Sequence, residues 1–210
     1  MSHVKVSESK SHNLSGFILA GGKSSRMGKN KALLQIEGKT FLEIATEKIR
    51  PFCKEVFVII NRSQEESFRL VNANFVFDAI KDRGALGGIY TSLKFSSSPL
   101  TLVLAVDLPL VEPSFICRLI RAAIEMDTDA TVSIDEKGFI QPLCAIYRTD
   151  KCLPKAEKLI LERENASVKD FLAELSMVKV TSKTKQLLNV NTTEEYEEAL
   201  KLAKTRLSLK

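Results

Sequence analysis

The chain has 210 residues, 44% of them hydrophobic and 27% charged, with 9 Gly, 6 Pro and no Trp. That balance excludes a low-complexity or fibrous polymer, and the length suffices for one domain with a substantial core. Its formal charge of +5 is spread over interspersed acids and bases, and its 7% aromatics form no stacking ladder, so nucleic acid is not an expected partner.

Residues 1–15 form a polar leader without an apolar stretch, read as a disordered tail rather than a secretory signal. One domain is expected over 16–210. It opens with "GFILA" (16–20), a buried strand. "TFLEIATEKIRPF" predicts a helix: Thr40 and Glu43 form a capping box, Phe41, Leu42, Ala45 and Ile49 share one face, and Pro51 ends it. A strand "EVFVII" (55–60), a short helix "QEESFRLV" (64–71) and a strand "NFVF" (74–77) follow. "LGGIYTSLKF" reads as helix despite its glycines, "LTLVLAV" (100–106) as a central strand, "PSFICRLIRAAIEM" (113–126) as helix and "DATVSI" (129–134) as strand. Beyond residue 135 come a strand "FIQPLCAIYR" interrupted by Pro142, two or three helices, and a strand "MVKV". A second capping box at Thr192 and Glu195 opens a last helix to about Thr205.

Continuous apolar strands separated by helices predict an α/β fold: a Rossmann-like three-layer sandwich with a mostly parallel central sheet. Ligands of such sheets sit at the carboxyl ends of strands, here the loops after Ala20, Ile60, Phe77 and Val106. No apolar run approaches membrane-spanning length, so no membrane is expected. Cys53, Cys117, Cys144 and Cys152 lack Cys-x-x-Cys spacing, which removes a zinc ribbon or a disulfide framework and suits the cytoplasm. Both histidines, His3 and His12, lie in the leader. A Ser-His-Asp triad or a His-based metal site is therefore not expected.

"FILAGGKSSRMGKNK" (17–31) joins a glycine pair to clustered cations. Bare backbone after a strand lets N–H groups approach an anion, and Arg26 and Lys31 can reach over it. The Walker pattern fails, because Gly28-Lys29 is followed by Asn30, and adjacent glycines break the dinucleotide pattern. A phosphate site remains the reading. The carboxylate of Asp107, at the end of the most apolar strand, suits a hard cation beside a triphosphate, or simply begins a turn with Pro109.

"LAGGKSSRMGKNK" resembles the signature Leu-Ala-Gly-Gly-x-x-x-Arg-Met-Gly-x-x-Lys of nucleotidyltransferases, and is most similar to the molybdenum cofactor guanylyltransferases, the MobA family. The resemblance runs from Gly16 to about residue 200. It implies GTP as co-substrate, Mg²⁺ as cofactor, and transfer of GMP to the phosphate of molybdopterin with release of pyrophosphate. It also implies that Leu19, Ala20, Gly21 and Gly22 meet the nucleotide, that Arg26 and Lys31 hold the triphosphate, and that Asn61 and Asp78 bind nucleotide. Asp107 then binds the metal. Arg26, Lys31 and Asp107 would be the catalytic residues. "GALGG" (84–88) matches Gly-Pro-Leu-x-Gly, with Ala85 in place of proline. "QPLCAIY" and "NVNTTEE" match the acceptor-side segments, which implies pterin-side roles for Gln141, Pro142, Asn189 and Asn191; Thr193 stands where proline is usual. Other cofactor-biosynthesis proteins and molybdoenzyme acceptors are implied partners. A CTP-dependent or sugar-phosphate nucleotidyltransferase and a non-catalytic nucleotide-binding module are the alternatives. A phosphate nucleophile already ionised near neutral pH needs no histidine base, which agrees with the composition.

Overall fold

The computed structural model describes residues 13–21, 30–80, 82–182 and 185–207. Residues 1–12 of the expected tail (1–15) and the glycine-loop residues Gly22 and Arg26 lie outside them, whereas Leu14 and Ser15, expected in the tail, belong to the first strand. The element order is β1 (Leu14–Leu19), β2 (Gln35–Ile36), β3 (Lys39–Thr40), α1 (Phe41–Ile49), β4 (Glu55–Ile60), β5 (Asn74–Phe77), α2 (Gly84–Phe95), β6 (Leu100–Ala105), α3 (Pro113–Glu125), β7 (Ala130–Ile134), β8 (Ile140–Arg148), α4 (Thr149–Glu162), α5 (Val168–Ala173), β9 (Met177–Thr181) and α6 (Thr193–Leu207). Seven strands form one sheet in the order β5-β4-β1-β6-β8-β7-β9. Only β8 runs against its neighbours, pairing antiparallel with both β6 and β7.

Because helices cover both faces, successive residues of each central strand enter different cores, and the strand sequence reads as continuously apolar. From β1, Leu14 and Ile18 join the core beneath α1, α3 and α6, whereas Phe17 and Leu19 join the core beneath α2, α4 and α5. Likewise Val58 and Ile60 face the first core, and Ile59 faces the second. The helices present matching stripes: Phe41, Leu42, Ala45 and Ile49 from α1, and Leu86, Ile89, Tyr90 and Leu93 from α2. The expected three-layer α/β sandwich is present.

Local differences from the sequence reading have physical causes. β1 takes in Leu14 and Ser15, because Ser15 donates its hydroxyl hydrogen to either Glu55 (2.9 Å) or Ser98 (2.8 Å) and is fully buried. The short helix expected over 64–71 is a 3-10 helix and lies earlier, over Arg62–Phe68; Gln64 Oε1 accepts from the Asn61 N–H (3.0 Å) and starts the turn early. The β2–β3 hairpin went unforeseen. Its turn carries positive φ at Glu37 (53°) and Gly38 (78°), the conformation that matches strand twist in a two-residue hairpin. Pro142 does not break β8: opposite β7 the register jumps from Ala145 to Gln141, and this bulge absorbs the missing N–H.

The α1 layer approaches β1 closely at Gly16, where an added Cβ would lie 2.7 Å from Cys53 Sγ and 3.0 Å from Ile49 Cδ1. Gly16→Val is therefore expected to destabilise the fold by about 1–3 kcal/mol through overpacking. Urea denaturation measures this, and Cys53→Ala in the same chain should recover part of the loss.

Candidate active site

The chain leaves β1 outward to β4 and β5, then returns through α2 to place β6 on the other side of β1. The gap between β1 and β6 is thus a topological switch point, where the loops part and leave a crevice. A cleft of ≈ 580 Å³ opens there, lined among others by Leu19, Ala20, Gly21, Lys31, Asn61, Asp78, Val106 and Asp107. The chain ends hold their places by extending the ladder. Ala20 and Gly21 both donate N–H to Ile59 O (3.0 Å each), Asp78 to Ile60 O (3.0 Å) and Val106 to Leu19 O (3.1 Å). Gly21 leaves room for Asn61, whose Nδ2 would be 3.4 Å from a Cβ at that position.

Lys31 is set by a short turn, not by a long helix. Asn30 Oδ1 accepts from the Ala32 N–H (3.1 Å), capping a 3-10 segment Lys31–Leu33 whose Ala32 is fully buried. The ammonium donates to Asn191 Oδ1 (2.6 Å) and stands 3.7 Å from Asp107 Oδ2. Asp107 Oδ1 is buried without a hydrogen-bond partner among the described residues. Burial pushes the Asp107 carboxyl above its ordinary range; the Lys31 charge opposes that rise, and Glu195 adds slightly to it. A desolvated carboxylate with an unused oxygen could hold a hard cation. Among the described residues no three His, Cys, Asp or Glu groups gather, so phosphate oxygens and water would complete such an ion's shell, the mode Mg²⁺ uses.

Asn189 and Asn191 reach this point from the other end of the chain. Val190 N–H donates to Asp107 O (2.9 Å), and Asn189 Oδ1 accepts from Gln141 Nε2 (3.1 Å). Glu195 accepts from the N–H groups of Asn191 (2.6 Å) and Thr192 (2.9 Å), which with Thr192 Oγ1 on Glu195 N–H (3.2 Å) completes the expected capping box. Gln141 arrives because β8 is antiparallel, so its beginning, not its end, lies beside the carboxyl end of β6. Pro142 follows in the bulge, its carbonyl accepting from Tyr147 Oη (2.7 Å).

Lys31, Asp107 and Asn191 thus meet directly, with Gln141 and Asn189 paired nearby. Asn61 and Asp78, which follow β4 and β5 on the other side of β1, line the same cleft. Asn30 and Thr91 were not singled out from sequence. The signal for Thr91 was a polar residue among the buried positions of α2, shared with Ser92, and its hydroxyl donates to Asp78 Oδ1 (2.7 Å).

A crevice at the switch point of an α/β sheet, with a cation and a carboxylate converging beside Gly21, defines an α/β protein with a ligand cleft at the carboxyl ends of its strands. The chain belongs to the MobA-like NTP transferase domain family, whose match spans residues 16–180. It is similar to the "Probable molybdenum cofactor guanylyltransferase" of Carboxydothermus hydrogenoformans, with 36% identity over 90% of this chain and 96% of the relative. The protein of that name from Methanosarcina mazei is 32% identical over 96% of each chain. In fold it is similar to the crystal structure of molybdopterin-guanine dinucleotide biosynthesis protein A from Archaeoglobus fulgidus, with a TM-score of 0.76 at 23% identity over 91% of this chain and 99% of that one. Among the described residues no helix is long and apolar enough to cross a membrane.

Proposed function

We propose that this nucleotidyltransferase transfers GMP from GTP to the terminal phosphate of molybdopterin, in the cytoplasm and with Mg²⁺. The convergence of Lys31, Asp107 and Asn191 carries the reading, because it joins a cation, a desolvated carboxylate and the 189–191 segment at one point. The relatives' names support guanine as the base and the molybdenum cofactor as the acceptor.

In the reaction, an acceptor phosphate oxygen forms a bond to the α-phosphorus of GTP while the bond to the β-phosphate bridging oxygen breaks, and pyrophosphate departs. The nucleophile is already ionised, so alignment and charge neutralisation are what the protein must supply. Lys31 neutralises negative charge on the α-phosphate side. Leu19, Ala20, Gly21 and Gly22 would meet the nucleotide, the two glycines having no side chain to hold it off. Asp107 would hold Mg²⁺, which would supply further neutralisation of phosphate charge there. Arg26 adds a second cation from the glycine loop. Gln141, Pro142, Asn189 and Asn191 form the acceptor side, so that the two substrates meet from opposite flanks of Asp107. Other proteins of cofactor biosynthesis would deliver the acceptor and take the product.

Isothermal titration with each nucleoside triphosphate plus Mg²⁺ tests this. GTP is expected to bind selectively, to bind more weakly to Asp107→Ala, and to release pyrophosphate only when molybdopterin is added. Preference for CTP would discard the guanylyl assignment, and no triphosphate binding at all would favour a module without this chemistry.

A further inference from the structure

Asp78 closes β5, three strands from Asp107 in the sheet order, a separation of about 14 Å at ordinary strand spacing. A carboxylate there repels phosphate, so with the triphosphate held at Lys31 and Asp107 it faces the uncharged part of a nucleotide. Its orientation is imposed by Thr91 of α2, which has no exposed surface. The Thr91 hydroxyl donates to Asp78 Oδ1 (2.7 Å) and accepts from the Ala79 N–H (3.0 Å), so it ties the side chain and the following backbone to one atom. The Ile80 N–H adds a longer bond to the same oxygen (3.4 Å). Oδ1 is therefore taken up, while Oδ2 has no partner among the described residues and Asp78 lines the cleft.

The surroundings keep this arrangement rigid. Gly87, one turn before Thr91, lets the loop descend onto α2: a Cβ there would lie 3.0 Å from Arg83 Cβ and 3.5 Å from Asp78 Oδ1. Arg83 in turn donates to the Arg163 carbonyl (2.9 Å) and the Ile160 carbonyl at the end of α4. Both ends of the 78–83 loop are thereby anchored.

We propose that Thr91 is a positioning residue for nucleoside recognition: by holding Asp78 Oδ1 it presents Oδ2 to the cleft as the acceptor for an O–H or N–H donor on the sugar or base. The proposal rests on the GTP reading of the cleft. Titration calorimetry on the full chain with GTP and Mg²⁺ tests it through a double-mutant cycle. Thr91→Val should weaken GTP binding on the order of 10-fold, as for a lost hydrogen bond to a charged group. Thr91→Ser keeps the hydroxyl and should restore it. In Asp78→Ala, Thr91→Val should cost nothing further. An equal loss in both backgrounds, or unchanged binding by Thr91→Val, overturns the proposal. GTP analogues lacking in turn the 2′-hydroxyl, the 3′-hydroxyl, the 2-amino group or the N1 hydrogen identify the donor as the one whose penalty vanishes in Asp78→Ala. If every analogue loses as much in Asp78→Ala as in the wild type, Asp78 meets no such donor and the proposal falls. Wild-type protein that binds no GTP is a different failure, that of the functional reading beneath it.

Discussion

Lys31→Ala is expected to lower guanylyl turnover on the order of 10²–10³-fold, the cost of removing one preorganised electrostatic donor from a site where phosphate charge develops. The ammonium donates to Asn191 Oδ1 at 2.6 Å and lies 3.7 Å from Asp107 Oδ2, so two roles are combined in it, a tether and a charge. Lys31→Gln separates them, since an amide can still donate to Asn191 but carries no charge. If charge dominates, Gln should be nearly as slow as Ala in a pyrophosphate-release assay. Undiminished turnover in Lys31→Ala would remove Lys31 from the catalytic residues. Asn191→Ala is informative beside it. Weaker GTP binding without acceptor would mean that Asn191 steadies Lys31, whereas a raised acceptor KM with normal GTP affinity would mean that it serves the pterin side.

Asp107→Asn should have opposite effects on activity and on stability. Turnover should fall on the order of 10²-fold or more, because the amide is a poor ligand for a hard cation and supplies no charge. The fold, however, should become more stable at neutral pH. Burial raises the Asp107 pKa above its unfolded value, and the Lys31 charge does not reverse that rise. A carboxyl whose folded pKa is raised binds its proton more tightly when folded. Its contribution to stability is complete below the unfolded pKa and is lost as pH rises through the folded pKa. At pH 7 the wild type therefore keeps a charge in a place that disfavours it, and the isosteric amide relieves this. Thermal melts without Mg²⁺ should show a higher Tm for Asp107→Asn at pH 7, with the gap closing as pH falls below the folded pKa. Adding Mg²⁺ and GTP should raise the Tm of the wild type more than that of the variant. A variant less stable than the wild type at pH 7 would show that Asp107 is held by favourable contacts and is not strained by burial.

Both expectations concern residues whose types were legible from sequence but whose meeting was not. The apolar runs of β1, β4 and β6 announced buried parallel strands, because a strand covered on both faces has no polar side to show. The capping boxes at Thr40 and Thr192 were equally plain, since their partners lie only three residues apart. Shorter or sideways features escaped. The β2–β3 hairpin has two-residue strands, below any readable period, and its turn begins with Glu37, which composition does not mark for positive φ. Pro142 looked like an interruption because nothing local announces that β7 will change register opposite it.

What the sequence determined by itself was the class of the fold, the position of the glycine turn at the end of the first strand, and the carboxylates that end β5 and β6. Those follow from local periodicity and from residue chemistry, which act over a few neighbours. Only the tertiary structure decided which of them share a site. Lys31 finds Asn191 across 160 residues, because the Val190 N–H ties that segment to the Asp107 carbonyl, and Gln141 finds Asn189 across 48, because β8 runs backwards and brings its first residues to the carboxyl edge of the sheet. Thr91 became a candidate in the same way, when α2 packed over β4 and β6 and set a buried hydroxyl against Asp78. Such contacts depend on strand order and direction, which are set by the packing of two cores on one sheet and leave no mark in any short stretch of chain.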